Sequence, residues 1–390
     1  MNMDYRNGLR RFNTDRRSRL FPSSAFGFLL ALMLFSLAGL LPWKQWFVLE
    51  GNWKNGEITS AVGKLYDKEH PARNYAVGLW ALVSYTLFGE GQKGLFVGKD
   101  GWLFIKEELE PSAHEHQEVE AARELIEIVK SHFAENESQL LITVIPAKWR
   151  VVPENLGEKE IAPDIALRRS YLLDAFSNKQ AVGQQDIAVF DAYETMRDLG
   201  EKAFLRTDTH WTPQATESVA ERLSQSIRQQ FTDLSYDQTS FEWQRSDPEI
   251  FRGDLYNFLP LGRGLEMFGP SPDLIETKQL VLTHEAINGA INNTENILFD
   301  GLSFPVNLVG TSYSANERWH FADALQKSLG MEIPNHAQEG KGPFQPMLEY
   351  LVSEEFIESP PELVIWEIPE RYMGVEGNQK VLEEYRSKQS

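Results

Sequence analysis

The sequence predicts an α/β fold in which a parallel sheet is covered by helices on both faces. Three observations predict it. Short apolar, β-branched runs recur along the chain, and three of them stop at a proline or a glycine; such runs suit strands buried on both faces. Amphipathic stripes at three- and four-residue spacing alternate with these runs, as crossovers between parallel strands require. A hydrophobic content of 42% and a charged content of 24% over 390 residues describe a chain that buries a large core rather than a disordered one.

The N-terminus reads separately from the body. Arginines 6, 10, 11, 16, 17 and 19 against Asp4 and Asp15 give the first 41 residues a charge of +4, and the whole-chain charge of −19 then leaves −23 for residues 42–390. Ala25 to Leu41 is an uncharged apolar run of seventeen residues, at the short end of the roughly 17–25 that span a bilayer as a helix. Trp43, Trp46, Phe47 and Val48 extend it with interfacial aromatics. Arginines before the span and none soon after predict a cytoplasmic basic stretch at 1–24, a transmembrane signal-anchor at 25–48, and a body on the far side of the membrane. A signal peptide cleaved near Ser36-Leu37-Ala38 competes with this, as does a buried core helix. The apolar run continuing through Leu40-Leu41 favours the anchor. Residues 49–94 form a juxtamembrane segment, with an apolar run from Val77 to Phe88 around Trp80.

In the body, Val119, Ala122, Ile126, Val129 and Phe133 form the inner stripe of a helix. Leu140 to Ile145, ended by Pro146, is a buried strand, and Ile187 to Phe190 is another. Thr212 caps a helix opening at Pro213, whose inner face carries Val219, Leu223, Ile227 and Phe231. Residues 232–300 show weak periodicity with several prolines and glycines, which predicts a loop-rich insertion. Pro305 to Val309 is a strand running into Gly310, followed by a helix from Ala315 to Leu329 with Gly330 beyond its end. Leu363 to Ile368, stopped by Pro369, is the last strand.

Composition also excludes function classes. No cysteine is present, so disulfides, thiolate metal sites and a cysteine nucleophile are out. The acidic body repels nucleic-acid phosphates, and a polyanionic glycan would need a locally basic groove.

Two segments carry residues suited to chemistry. Gly310-Thr311-Ser312-Tyr313-Ser314 lies between a strand and a helix, where α/β folds place active sites, and the free N–H groups of the helix start would face an oxyanion formed beside Ser312. The plainer alternative is that Ser312 or Ser314 only caps the helix. Asp208 and His210, two apart in Thr207-Asp208-Thr209-His210-Trp211-Thr212-Pro213, can orient one imidazole, with the carboxylate on Nδ1 and Nε2 free as a base. An ordinary surface loop before a capped helix is the alternative there. Together the segments supply a serine, a base and its orienter, the set used in acyl transfer. A metal centre lacks ligands, since Asp208 and His210 would need more, and His114 and His116 lie on a polar stretch.

These residues carry a resemblance. DTHWTP at 208–213, GTSYS at 310–314, GKDGWLF at 98–104 and WEIPER at 366–371 resemble the periplasmic alginate O-acetyltransferases, in particular the membrane-anchored J-type component related to the secreted X-type. The similarity runs from about Leu95 to Tyr372. It implies an SGNH-hydrolase-like three-layer sandwich over residues 95–390, with the Asp-x-His block preceding the serine in a permuted order. By matching positions it implies Ser312 as nucleophile, His210 as general base and Asp208 as its orienter. The implied reaction passes an acetyl group through an acetyl-serine to hydroxyls of mannuronate residues in alginate, without a cofactor. It further implies an inner-membrane location with the catalytic domain in the periplasm. The expected partners are a multi-spanning membrane O-acyltransferase as acetyl donor and other alginate acetylation and export components. Relatives that act on cellulose or other glycans keep a second acceptor open, and a carbohydrate esterase using water is a second reaction. A non-catalytic glycan-binding subunit is a third reading.

Two departures from the hydrolase pattern stand out. Gly-Thr-Ser replaces Gly-Asp-Ser, and the strand expected to end in Gly-x-Asn-Asp ends Ile368-Pro369-Glu370-Arg371. With the asparagine donor missing, Arg371, Tyr313 and Lys148 become candidates for the oxyanion or an acidic sugar. For Arg371, an ion pair with Glu367 or Glu370 is the structural alternative.

Overall fold

The computed structural model describes residues 73–390, apart from 135, 137, 178–186, 236–238, 263, 284–303 and 390, together with His70 and scattered helical positions between 27 and 64. The chain divides into two units, one of residues 1–80 with 261–265 and one of residues 81–260 with 266–390. In the first, most of the expected signal-anchor at 25–48 lies outside the described residues. Its described positions, 27–31, 33, 34 and 37, are helical and exposed. Among the described residues no helix is long and apolar enough to cross a membrane. Tyr75, Leu79 and Trp80 in the helix Arg73–Val83 are exposed apolar side chains.

Among the described residues the second unit has ten short strands: β1 (Leu95–Val97), β2 (Leu103–Ile105), β3 (Gln139–Ile145), β4 (Ala188–Asp191), β5 (Phe241–Arg245), β6 (Glu249–Phe251), β7 (Asp273–Ile275), β8 (Lys278–Leu282), β9 (Val306–Val309) and β10 (Leu363–Pro369). Its centre is a sheet in the order β4-β3-β10-β9 with every neighbouring pair parallel. Side chains alternate across a strand, and the two faces bury different sets. Leu141, Ile145, Leu308, Leu363 and Ile365 pack on the inner stripes of the helices Pro213–Gln230 and Phe321–Leu329. Ile142, Val144, Val364, Trp366 and Ile368 pack on the helices Glu115–Ala134, Phe344–Leu351 and Asn378–Gln389. The result is the α/β three-layer arrangement that the strand and helix pattern predicts.

Two expectations change. The helix expected from Ala315 to Leu329 is two helices, Ser312–Ala315 and Phe321–Leu329, separated by a turn at residues 316–320. His320 in that turn has a left-handed backbone (φ 43°, ψ 40°), which breaks the helical path and turns Trp319 inward. The region 232–300 is more ordered than its composition suggests. Its described part contains two antiparallel ribbons, β5 with β8 and β6 with β7. In β5, half-buried Phe241 and Trp243 alternate with exposed Glu242 and Gln244. The strands are too short, and their partners too distant in sequence, for that alternation to stand out.

Candidate active site

The carboxyl ends of β9, β10 and β3 converge, so Gly310, Glu370 and Pro146 begin neighbouring loops. From β9 the chain passes through Gly310 and extended Thr311 into the four-residue helix beginning at Ser312. A Cβ on Gly310 would lie 2.6 Å from Oε2 of Glu367 and 3.0 Å from its Cβ. Only glycine lets the turn come this close to β10. The Glu367 carboxylate accepts from the Thr311 N–H at 2.8 Å, from Thr311 Oγ1 at 3.0 Å and from Ser314 Oγ at 3.0 Å. Burial pushes this carboxyl up to about 7 although those donors favour the charged form. Thr311 Oγ1 accepts from the Tyr313 N–H at 3.3 Å, and the Thr311 carbonyl accepts from the N–H groups of Ser314 and Ala315. That leaves Ser312 with the one amide of the turn lacking an acceptor among the described residues.

The histidine loop is held from several directions. A bridge between Phe204 and Trp211 closes it, and Thr212 caps the following helix by accepting from the Ala215 N–H at 3.1 Å. Asp273 accepts from the N–H groups of Arg206 and Thr207 and from Thr207 Oγ1. Asp254 accepts from the Thr209 N–H at 2.9 Å and from Thr209 Oγ1 at 2.6 Å, and its own N–H donates to Asp208 Oδ2 at 2.8 Å. A Cβ on Gly253 would lie 2.3 Å from the Thr207 carbonyl oxygen, so the inserted lobe can press on the loop only through a glycine. Beneath the loop Lys148 is buried, its Nζ within 3.1 Å of the carbonyl oxygens of Leu103, Leu205, Arg206 and Asp208. Burial lowers this ammonium to about 8, partly offset by the carboxylates of Asp273, Asp208, Glu108 and Asp254.

These two segments meet. Asp208 Oδ1 lies 2.6 Å from His210 Nδ1, and His210 Nε2 lies 2.7 Å from Ser312 Oγ. A carboxylate can only accept, so Nδ1 carries the imidazole proton and Nε2 is free to take one from the serine. Burial raises the Asp208 carboxyl, but hydrogen bonds and charge from His210 together with the Asp254 N–H outweigh it and hold the group below the usual range. Trp319 stacks on the imidazole with centroids 4.9 Å apart and planes at 18°, and its Nε1 donates to the Ser312 carbonyl at 3.1 Å. Trp211 Nε1 donates to the Tyr313 carbonyl at 3.1 Å. Ser312 is half-buried, while His210 and Asp208 are buried. The arrangement can pass a proton from a nucleophilic hydroxyl to a fixed base.

The remaining expected residues fall elsewhere. Lys148 supports the loop from below, with its ammonium taken up by backbone carbonyls, and it is not placed to meet a substrate. Tyr313 is buried, donates its hydroxyl to the Thr209 carbonyl at 2.6 Å, and so ties the serine turn to the histidine loop. Arg371 is neither paired with Glu367 nor with Glu370. Its Nη1 lies 3.7 Å from Glu108, and its guanidinium sits over the rings of Tyr313 and Tyr372. Glu370 instead pairs with Arg150 at 3.0 Å. Sequence reasoning gave no site role to Glu367, Asp254, Asp273 or Trp319. Glu367 had a signal, a lone charge inside an otherwise apolar strand.

Asp208, His210 and Asp254 each bring one atom within 4.8 Å of the others, the one grouping of this kind among the described residues. Those atoms are already engaged: Asp208 with His210 and the Asp254 N–H, Asp254 with Thr209, and Nε2 with Ser312. The donor set fits a hydrogen-bonded support rather than an ion cage.

A parallel three-layer sheet that brings Ser, His and Asp together at its carboxyl edge is the architecture of SGNH hydrolase-like acyl-transfer enzymes. Residues 95–370 match the family described as the SGNH hydrolase-like domain of the acetyltransferase AlgX, and the chain belongs to that family. Within it, the chain is similar to the probable alginate O-acetylase AlgJ of Azotobacter vinelandii, 38% identical over 364 residues that cover 92% of this chain and 90% of that protein. The corresponding protein of Pseudomonas aeruginosa is 38% identical over 320 residues, covering 82% of this chain and 80% of its own length. The solved O-acetyltransferase domain of Pseudomonas putida AlgJ superposes with a TM-score of 0.63 at 31% identity, over 75% of this chain and 99% of that domain.

Proposed function

We propose that this protein O-acetylates alginate, with Ser312 as nucleophile, His210 as general base and Asp208 as the group that orients it. The observation that carries the reading is the 2.7 Å contact between Ser312 Oγ and His210 Nε2, backed by the 2.6 Å contact from His210 Nδ1 to Asp208. Ser312 attacks the acetyl carbonyl of a donor while His210 takes its proton. The leaving group departs with that proton and leaves an acetyl ester on Ser312. A mannuronate hydroxyl then gives its proton to His210 and attacks the ester, and the proton returns to Ser312 as the acetylated sugar leaves. The Ser312 N–H is the amide open to the oxyanion, and Trp319 stacked on His210 favours the imidazolium formed at each step.

The rest of the reading concerns placement. Arginines ahead of the apolar run at 25–41 support an inner-membrane anchor at 25–48 with residues 95–390 on the periplasmic side. A multi-spanning membrane O-acyltransferase then supplies the acetyl group, and AlgX-type components work on the same polymer. Mass spectrometry of the protein incubated with an activated acetyl ester tests the chemistry. An acetyl adduct is expected on the peptide bearing Ser312 and none on the Ser312→Ala variant, which also fails to acetylate polymer in cells. Normal polymer acetylation by Ser312→Ala would overturn the reading. Acetate release without transfer to oligomannuronate would make the protein an esterase.

A further inference from the structure

Residues 42–390 carry a charge of −23, so an acidic polymer approaching the nucleophile needs a local cation to offset repulsion. We infer that Arg318 is this cation and that it binds a carboxylate of the acceptor polysaccharide beside the sugar being acetylated. The inference rests on the proposed uronate acceptor and adds the group that selects it.

Arg318 belongs to the turn that leaves the nucleophile helix. The Asn316 N–H and Trp319 Nε1 both donate to the Ser312 carbonyl, at 3.4 and 3.1 Å. Trp319 lies against the imidazole of His210, and Phe251 of β6 packs edge-on against Trp319 with centroids 6.0 Å apart. The Arg318 guanidinium lies 5.5 Å from the centre of the Phe251 ring. Two rings therefore link it to the Ser312–His210 pair. Trp319 is buried, whereas Ser312 is half-buried and Arg318 is exposed.

Arg318 is also free to take a new partner. Among the described residues its ion pair is a single 3.9 Å contact to Glu249, with the two side chains 52% and 53% exposed. A pair this long and this wet contributes little and exchanges readily for a better carboxylate. The other arginines of this part of the chain make different contacts. Arg252 reaches Glu266 at 3.5 Å, Arg206 donates to the Pro272 carbonyl, and Arg371 is buried against Glu108 and Tyr313. A guanidinium over an aromatic ring still has N–H groups to offer a carboxylate, which it can grip with two hydrogen bonds.

The test compares two acceptors on the full-length protein: oligomannuronate and the same oligomer with its carboxylates methyl-esterified. With p-nitrophenyl acetate as donor, Arg318→Gln should raise KM for the acidic oligomer by about fivefold, the size of one partly exposed ion pair, with kcat held. The preference for acidic over neutral oligomer falls by the same factor, Arg318→Lys restores part of it, and wild-type KM rises with salt more steeply than that of the variant. Arg245→Gln, at an exposed arginine that ends β5 and pairs loosely with Glu276 at 3.6 Å, should leave the preference intact. An equal loss on both oligomers assigns Arg318 a packing role on Phe251 and overturns the inference, as does an unchanged preference or an equal effect of Arg245→Gln. A wild-type protein that transfers acetyl to neither oligomer overturns the uronate-acceptor reading, and the inference with it.

Discussion

Replacing Glu367 by glutamine should make the protein more stable at neutral pH, an advantage that disappears in acid. The side chain is buried and accepts three hydrogen bonds from Thr311 and Ser314. Burial nevertheless holds its carboxyl at about 7, against 4.5 for a free glutamate. Between those values the unfolded chain releases the proton while the folded protein keeps it. A raised acid pKa contributes stability that is complete below the unfolded value and is lost as pH rises through the folded one. The loss, at 1.36 kcal/mol per pH unit, is on the order of 3 kcal/mol across the window. Glutamine keeps the volume and one acceptor oxygen without that ionisation, so the gap between variant and wild type should open as pH rises from 4.5 to 8. Any change in hydrogen-bond quality adds a constant that does not depend on pH. Urea unfolding of both proteins at pH 4.5 and pH 8 measures the gap. A gap that is flat with pH, or one in which wild type gains on the variant as pH rises, would refute the reasoning.

Three other substitutions probe separate supports. Asp208→Asn keeps the shape of the side chain but favours the wrong imidazole tautomer, so kcat for acetyl transfer should fall by roughly 10²–10⁴; the melting temperature should also drop, because the new amide N–H₂ faces either the Asp254 or the His210 N–H that the carboxylate accepts. Lys148→Met strips the ammonium from the carbonyls of Leu103, Leu205, Arg206 and Asp208, and denaturant unfolding should show a loss of about 3–5 kcal/mol. Gly310→Ala forces a methyl group onto the Glu367 carboxylate at 2.6 Å. Stability should drop by about 1–3 kcal/mol, and acetylation should fall further than that loss explains, because the nucleophile turn itself must move.

The sheet was legible because burial on both faces leaves a plain signature: the runs at 140–145, 305–309 and 363–368 became β3, β9 and β10. Thr212 and Pro213 likewise announced their helix through local chemistry, and the cap is present. Ser312, His210 and Asp208 were readable as candidates because each sits in a short segment of distinctive composition. Their supports were not, because those depend on pairings no local pattern encodes. Asp254 and Asp273 come from a lobe whose ribbons are short and partly exposed, yet their carboxylates hold Thr207 and Thr209 in place. Lys148 looked like a substrate ligand because a lysine just beyond a strand end lies near where active sites form. Its burial under the loop is a tertiary fact. The break before Phe321 escaped notice because nothing in Asn316-Glu317-Arg318-Trp319-His320 forbids a helix, and contact with His210 and Phe251 decides it.

Threonine at 311 and glutamate at 367 are best understood as one exchange. The hydrolase pattern places an aspartate immediately before the nucleophile, and this chain has none there. Its carboxylate comes from the adjacent strand instead, and Glu367 reaches both the backbone and the hydroxyl of Thr311. Threonine suits that neighbour because its single hydroxyl donates to the carboxylate and also accepts from the Tyr313 N–H. An aspartate at 311 would set a second carboxylate against a buried one, and like charges at contact distance push one of the pair to hold its proton. Gly310 completes the exchange, since a side chain there would occupy the space into which Glu367 projects. The missing aspartate therefore does not weaken the case for Ser312 as nucleophile. What fixes the serine is a carboxylate anchored in the rigid centre of the sheet, and a positioning group on a strand holds its place better than one on the turn it must position.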